Sequence, residues 1–70
     1  MEWIVADADH LSGAPRVRDT RISIAHLLGF LESGMSVEEI VVEYPSLTVD
    51  AVRGALTELA DLDRFKASRG

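Results

Sequence analysis

The chain has 70 residues, of which 47% are hydrophobic, and its formal net charge is -5. This length allows one domain, residues 1–70, with a thin core, because so short a chain buries only about 60% of the surface that its unfolded form exposes. The absence of cysteine excludes disulfides and thiolate chemistry, and no segment approaches the roughly 20 apolar residues needed to cross a bilayer. The acidic start, Met-Glu-Trp, also lacks the basic residues of a secretory signal, so we expect a cytoplasmic protein that does not contact membranes.

The charges are placed unevenly along the chain. Three arginines lie close together at Arg16, Arg18 and Arg21, whereas residues 22–63 carry eight acidic side chains against Arg53 alone. An acidic body favours a basic protein partner. The high apolar content also predicts that part of the apolar surface is buried only when a second copy of the chain binds to it, so we expect a homodimer.

The N-terminal part, at about residues 2–23, is predicted to form a strand and a hairpin. Residues 2–6 contain strand-forming residues, and Pro15 then marks a loop. Residues 16–24 alternate around Asp19-Thr20 as two short strands would. In that arrangement Val17 and Ile22 face the core and the arginines lie largely outside.

The first helix is predicted at residues 24–33. Ser23 is placed to cap its start and Gly34 to end it. Its apolar stripe has the helical spacing and consists of Ile24, Leu27, Leu28 and Leu31. Phe30 lies off this stripe, and we interpret it as an interface residue rather than core. His26 lies beside the stripe, and we interpret it as a boundary or interface residue.

The second helix is predicted at residues 37–44. Ser36 and Glu39 have the spacing of a capping box, and Pro45 stops the helix. The stripe here is Val37, Ile40, Val41 and Tyr44.

The third helix is predicted at residues 49–63, with Thr48 as its cap. Its core stripe is Val52, Ala55, Leu56 and Leu59, and Leu62 and Phe65 extend it if the helix continues. The opposite face is predicted to carry Asp50, Arg53, Gly54, Thr57, Glu58, Asp61 and Arg64.

The predicted fold is mainly α: a three-helix, helix-turn-helix-like (homeodomain-like) domain with a short N-terminal β-strand and β-hairpin. The second and third helices are joined by a short turn at Pro45-Ser46-Leu47, which is the order found in helix-turn-helix motifs.

Several motifs of the chain resemble a prokaryotic family known as domain of unknown function 433. The first is the signature Gly13, Pro15, Val17, Arg18, Thr20, Arg21, Ile22 and Ile24. It is followed by Gly34-Met35-Ser36, by Glu38-Glu39-Ile40 and by Tyr44-Pro45-Ser46-Leu47-Thr48. The family usually has glycine where this chain has Asp19, a position that suits a positive φ. We therefore expect a different turn type or altered contacts at Asp19.

Members of this family are often described as antitoxin-like, or as VapB-type antitoxins. The resemblance implies a helix-turn-helix-like fold, a dimer, and a ribonuclease-like toxin of the PIN type as a partner protein. It also implies that the protein binds its own operator DNA.

Catalytic and metal-binding residues are poorly represented. Asp7, Asp9 and His10 form the only local cluster of titratable groups near a strand end, and acidic loops of this kind are mostly solvated. No nucleotide-binding or metalloprotease motif is present. We expect no catalytic residue, no metal and no cofactor, and hence no enzyme.

The arginines allow two interpretations. They are either donors to nucleic-acid phosphates and guanine edges, or structural groups that pair with Asp7, Asp9 or Asp19. We assign Arg18 and Arg21 to the hairpin and dimer contact, together with Val17, Thr20 and Ile22. We interpret Arg16 as the freest, and the candidate DNA contacts are Arg16, Arg53 and Thr57.

The C-terminal residues Leu62 and Phe65 are candidate apolar anchors for the toxin. The function expected first is that of an antitoxin, which neutralises a PIN-type toxin by direct binding and regulates its own operon. A stand-alone helix-turn-helix DNA-binding transcriptional regulator is one alternative. A dimeric interaction module without a nucleic-acid role is the other.

Overall fold

The computed structural model describes residues 2–9 and 11–69, and side-chain surroundings as far as Leu62. Two short strands, β1 (Ile4–Val5) and β2 (Arg16–Val17), precede three helices: α1 (Ile24–Glu32), α2 (Val37–Glu43) and α3 (Val49–Arg69). The expected fold class, three helices behind a small antiparallel β element, is confirmed.

The two strands pair with each other in antiparallel orientation. Ile4 lies opposite Val17, and the N–H of Arg18 donates to the carbonyl oxygen of Trp3 at 2.8 Å. β1 is shorter than the predicted residues 2–6. The second arm of the expected hairpin is a single bridge between Arg16 and Ser23, so residues 16–23 reverse direction without forming a longer ladder.

Local capping signals set the starts of all three helices. The Ser23 hydroxyl accepts the N–H of His26 at 3.0 Å, and the Thr48 hydroxyl accepts the N–H of Ala51 at 3.1 Å. At α2 the capping box is complete in both directions, between Ser36 and Glu39. These contacts satisfy backbone donors that have no partner inside the helix, and they confirm the predicted starts.

The ends of the helices agree less closely with the sequence. α1 stops at Glu32, with Ser33 as its C-cap and Gly34 at φ 101. α2 stops at Glu43, one residue before the predicted end. α3 continues to Arg69, beyond the predicted end at 63, because no helix-breaking residue intervenes.

One apolar cluster holds all the elements together. Its buried members come from both strands, the three helices and the turn before α3: Ile4, Val17, Ile24, Leu27, Ile40, Leu47, Ala51, Val52 and Ala55. The prediction that Leu28 belongs to the core is wrong, since 44% of its surface is exposed. The core of so short a chain is too thin to cover the full width of the α1 stripe.

The first strand is attached to α3 by contacts that the sequence did not indicate. The carboxylate of Glu58 accepts the N–H of Trp3 at 2.7 Å and the N–H of Ile4 at 3.1 Å. The Trp3 indole lies directly against Gly54, where a Cβ would overlap the ring. The prediction that Gly54 and Glu58 lie on the exposed face is therefore wrong: both are half-buried beneath the N-terminal segment.

Candidate binding cleft at the signature turn

Arg16 is the most enclosed charged residue among those described, with 9% of its surface exposed. Its Nη2 contacts the Asp7 carboxylate at 3.0 Å, and its Nη1 donates to the Thr20 carbonyl at 3.1 Å. The expectation that Arg16 is the freest of the three arginines is wrong. Arg16 lies opposite Val5 in the antiparallel pair, and the chain reverses direction shortly after it. Its guanidinium is therefore enclosed by Asp7 and by the backbone of the turn at Thr20.

The other two signature arginines lie at the surface, as expected. Arg18 donates to the carbonyl oxygen of Glu2 at 3.3 Å, and Arg21 makes no hydrogen bond or ion pair with the described residues. Of the acidic residues expected to pair with the arginines, Asp7 therefore pairs with Arg16 and not with Arg18 or Arg21.

The turn that carries these arginines is organised by Thr20, which is buried. Its hydroxyl donates to the carbonyl oxygen of Val17 at 2.7 Å and accepts the N–H of Ile22 at 3.1 Å. Asp19 has φ 62, in the left-handed region that glycine occupies most readily. Asp19 thus has a glycine-like backbone conformation, and the expected difference from the family in turn type or contacts stays a prediction.

An open cleft of about 680 Å³ lies beside this turn. Arg16, Asp19, Thr20 and Arg21 line one side, and Ser46 contributes from the turn between α2 and α3. The cleft therefore joins the signature turn to the helix-turn-helix region. Its side chains offer two guanidinium groups and a hydroxyl as hydrogen-bond donors, with one carboxylate among them.

The remaining candidate DNA contacts lie elsewhere. Arg53 and Thr57 are exposed on α3 and do not line the cleft, and Asp50 is exposed near the start of the same helix. Sequence spacing placed Arg53 and Thr57 one helical turn apart on one face, which their shared exposure supports. Arg16 lines the cleft instead and is not part of this exposed face of α3.

The residues assigned to a hairpin dimer contact differ in exposure. Val17 and Thr20 are buried within the single chain, whereas Ile22 is half-buried and the two arginines are exposed. Only Ile22, Arg18 and Arg21 therefore present a side chain to another molecule.

A second concavity, the acidic groove, lies along α2. It encloses about 390 Å³ and is lined by Met35, Glu38, Glu39, Val42 and Glu43. Val42 is the most exposed large apolar residue among those described, at 79%. The pKa of Glu39 lies below its usual value because its carboxylate accepts the backbone N–H and is hydrogen-bonded to the side chain of Ser36. Three carboxylates therefore surround an uncovered apolar surface.

An aromatic stack lies between α1 and the end of α2. The rings of Phe30 and Tyr44 are stacked with centroids 4.5 Å apart, and His26 stacks on Phe30 at 6.2 Å. Phe30 is half-buried and packs against the core cluster, whereas His26 is exposed, and an interface role for either residue stays a prediction. Of the predicted toxin anchors, Leu62 is 43% exposed, and the side chain of Phe65 lies outside the described residues.

The protein family described as Protein of unknown function (DUF433) matches the chain over residues 4–57. The chain belongs to this family. The matched residues include the signature turn, the capping box and most of the core. No curated protein and no solved structure matches the chain significantly.

The described residues of this DUF433 protein contain no group of three or more His, Asp or Glu side chains placed to hold a metal ion. His10, a member of the acidic cluster noted in the sequence, lies outside the described residues. Within the same limits, none of the helices combines the length and apolar character required to span a membrane.

Proposed function

We propose that this DUF433 protein is the antitoxin of a prokaryotic toxin–antitoxin pair. It acts in the cytoplasm, as a homodimer, by binding a PIN-type ribonuclease-like toxin directly. The observation that carries the proposal is the acidic groove on α2, which has the chemistry of a protein-binding surface. The antitoxin-like character of the family that the sequence resembles supports the same function.

The groove suits a partner segment with an apolar anchor flanked by basic residues. Val42 and Met35 supply the apolar floor, and Glu38 and Glu43 supply exposed carboxylates at its edge. Interfaces gain most of their affinity from a buried apolar anchor, while surrounding charges select the partner and speed association. An uncovered apolar floor with acidic edges therefore favours stoichiometric binding to a protein.

The test is co-expression with the product of the adjacent gene. We expect that product to arrest growth alone and the pair to grow normally. Val42→Asp, at the centre of the groove, should abolish rescue and co-purification because it places a fourth carboxylate on the apolar floor. Leu28→Asp is the matched control: it puts the same charge on an exposed leucine of α1, outside the groove. A harmless neighbour, or a Val42→Asp variant that rescues as well as the Leu28→Asp variant, contradicts the proposal.

Operator DNA binding is a second candidate function, favoured by the exposure of Arg53 and Thr57 on the helix that follows the α2–α3 turn. Asp50 on the same helix repels phosphate, so binding is expected to be weak and to fall steeply with salt. Electrophoretic mobility shifts with the protein's own promoter check this, with and without the toxin. Arg53→Gln should remove the shift, and a shift that persists in this variant assigns DNA binding to another surface.

A further inference from the structure

Arg16 has more hydrogen-bond donors than the described residues satisfy. A guanidinium carries five N–H groups, and Arg16 uses one towards Asp7 and one towards Thr20. Its Nε has no hydrogen-bond partner among the described residues and is buried, so this atom is not itself open to the cleft. A buried donor without an acceptor costs free energy, and native proteins satisfy nearly all such groups.

The cleft that Arg16 lines brings further unused donors to the same place. The guanidinium of Arg21 is exposed and makes no bond to the described residues, and Ser46 adds an exposed hydroxyl from the opposite side. These donors come from β2, from the signature turn and from the α2–α3 turn.

We infer that this cleft is a binding site for a phosphate group, either as inorganic phosphate or as a phosphoester. Arg16 and Arg21 are its charged donors and Ser46 its neutral donor. Guanidinium groups bind phosphate oxygens through paired hydrogen bonds, and such charge-assisted bonds are stronger than neutral ones. A phosphate offers more oxygens than a carboxylate, which suits donors that approach from three segments.

The carboxylate of Asp19 weakens the expected affinity of the cleft for phosphate. It lines the same cleft and repels an anion, so binding is expected to be moderate. Asn at this position removes the charge and still tolerates the φ of 62 that the turn requires. Asp19→Asn should therefore tighten phosphate binding by about threefold, the effect of removing one repelling charge several ångströms away in water.

The experiment is an NMR titration of the full chain with sodium phosphate, at constant ionic strength maintained with sodium chloride. Arginine Nε–H and backbone signals are followed. We expect saturable shifts at Arg16, Arg21 and Ser46. Arg21→Gln should weaken binding by roughly tenfold, the loss expected for a charge-assisted donor. Arg18→Gln is the matched control, because Arg18 is an exposed arginine of the same signature that does not line the cleft, and the affinity of this variant for phosphate should not change.

Arg21 is chosen for substitution because it is exposed, whereas replacing buried Arg16 risks unfolding the chain. Two further ligands test which chemical group the cleft binds. A short single-stranded oligonucleotide supplies phosphodiesters, and glutarate supplies carboxylates. Saturation by phosphate or by the oligonucleotide, weakened in Arg21→Gln, supports the site and names its source. A stronger response to glutarate, no saturable shift, or equal affinity in Arg21→Gln and Arg18→Gln overturns it. The inference does not depend on the antitoxin proposal, whose test uses Val42 in the other concavity.

Discussion

The N-terminal segment, residues 2–23, and the helical body, residues 24–62, share one apolar core through Ile4 and Val17 but differ in their polar contacts. In the helical body, apolar side chains such as Leu27 and Ile40 are fully buried, and capping residues satisfy the helix starts. In the N-terminal segment, polar side chains make the long-range connections: Glu58 holds the backbone of β1, and Arg16 holds Asp7 and the turn. A two-stranded sheet is barely stable in water, so it depends on these attachments to the helices.

This difference explains where the candidate sites lie. The helical body offers a groove whose shape follows from one helix, α2. The cleft beside the signature turn exists only because the N-terminal segment is fixed next to the α2–α3 turn. Changes that weaken the core should disturb both regions, whereas changes at the attachment points should disturb the N-terminal segment first.

The largest effect is expected from Ile40→Ala, in the middle of the core. Removing a fully buried isoleucine should lower the free energy of unfolding by about 2–5 kcal/mol. Urea denaturation followed by circular dichroism measures this. Val42→Ala on the same helix is the control and should change stability by less than about 0.5 kcal/mol, because Val42 is exposed. Equal losses in the two variants contradict the assignment of the core.

Gly54→Ala tests the contact between the two regions. The added Cβ would overlap the Trp3 indole, so we expect a loss of about 1–3 kcal/mol. Gly29→Ala is the matched control: a Cβ there meets no neighbouring atom, and alanine favours helix by about 1 kcal/mol. Thermal denaturation of both variants checks the pair. If Gly54→Ala is as stable as Gly29→Ala, Trp3 does not lie against α3.

A smaller and more selective effect is expected from Glu58→Ala. It leaves the backbone N–H groups of Trp3 and Ile4 without their acceptor and should cost about 1–2 kcal/mol, because water reaches this half-buried site. Trp3 is the only tryptophan, so its fluorescence reports the N-terminal segment while circular dichroism reports the helices. We expect the fluorescence to shift towards that of solvent-exposed tryptophan at a denaturant concentration where the helices persist. Glu32→Ala, an exposed glutamate of α1, should leave both signals unchanged. Coincident transitions in Glu58→Ala contradict a separately attached segment.

The smallest effect is expected from pH at the capping box. The pKa of Glu39 is lowered in the folded state by its hydrogen bonds to Ser36, so its contribution is fully present above the unfolded pKa and is lost as the pH falls through the lowered folded pKa. Melting temperatures at neutral and acidic pH measure this. Ser36→Ala should reduce the acid sensitivity slightly, because the side-chain bond that lowers the pKa is removed. An unchanged acid sensitivity in Ser36→Ala contradicts this role of the box.

Sequence reasoning located the helices well because their signals are local. The caps at Ser23, Ser36 and Thr48 act on residues three positions away, and an apolar stripe repeats within one helix. The exposure of Arg18 and Arg21 also follows from the alternation of neighbouring residues. The sequence-based predictions were wrong about the burial of Arg16 and the exposure of Leu28. They were also wrong about the surroundings of Gly54 and Glu58.

Those errors have a common physical cause. Trp3 and Glu58 are 55 positions apart, and nothing within a few residues of Glu58 shows that its carboxylate will accept the N–H groups of a strand. Likewise, the alternation of a strand predicts that the Arg16 side chain faces solvent, whereas in the structure Asp7 and the turn backbone enclose it. The amino-acid sequence by itself determined the three helices, their starts and the chain's place in the DUF433 family. Only the tertiary structure decided which polar side chains are structural, and therefore which donors remain for a ligand, because burial depends on segments distant in the chain.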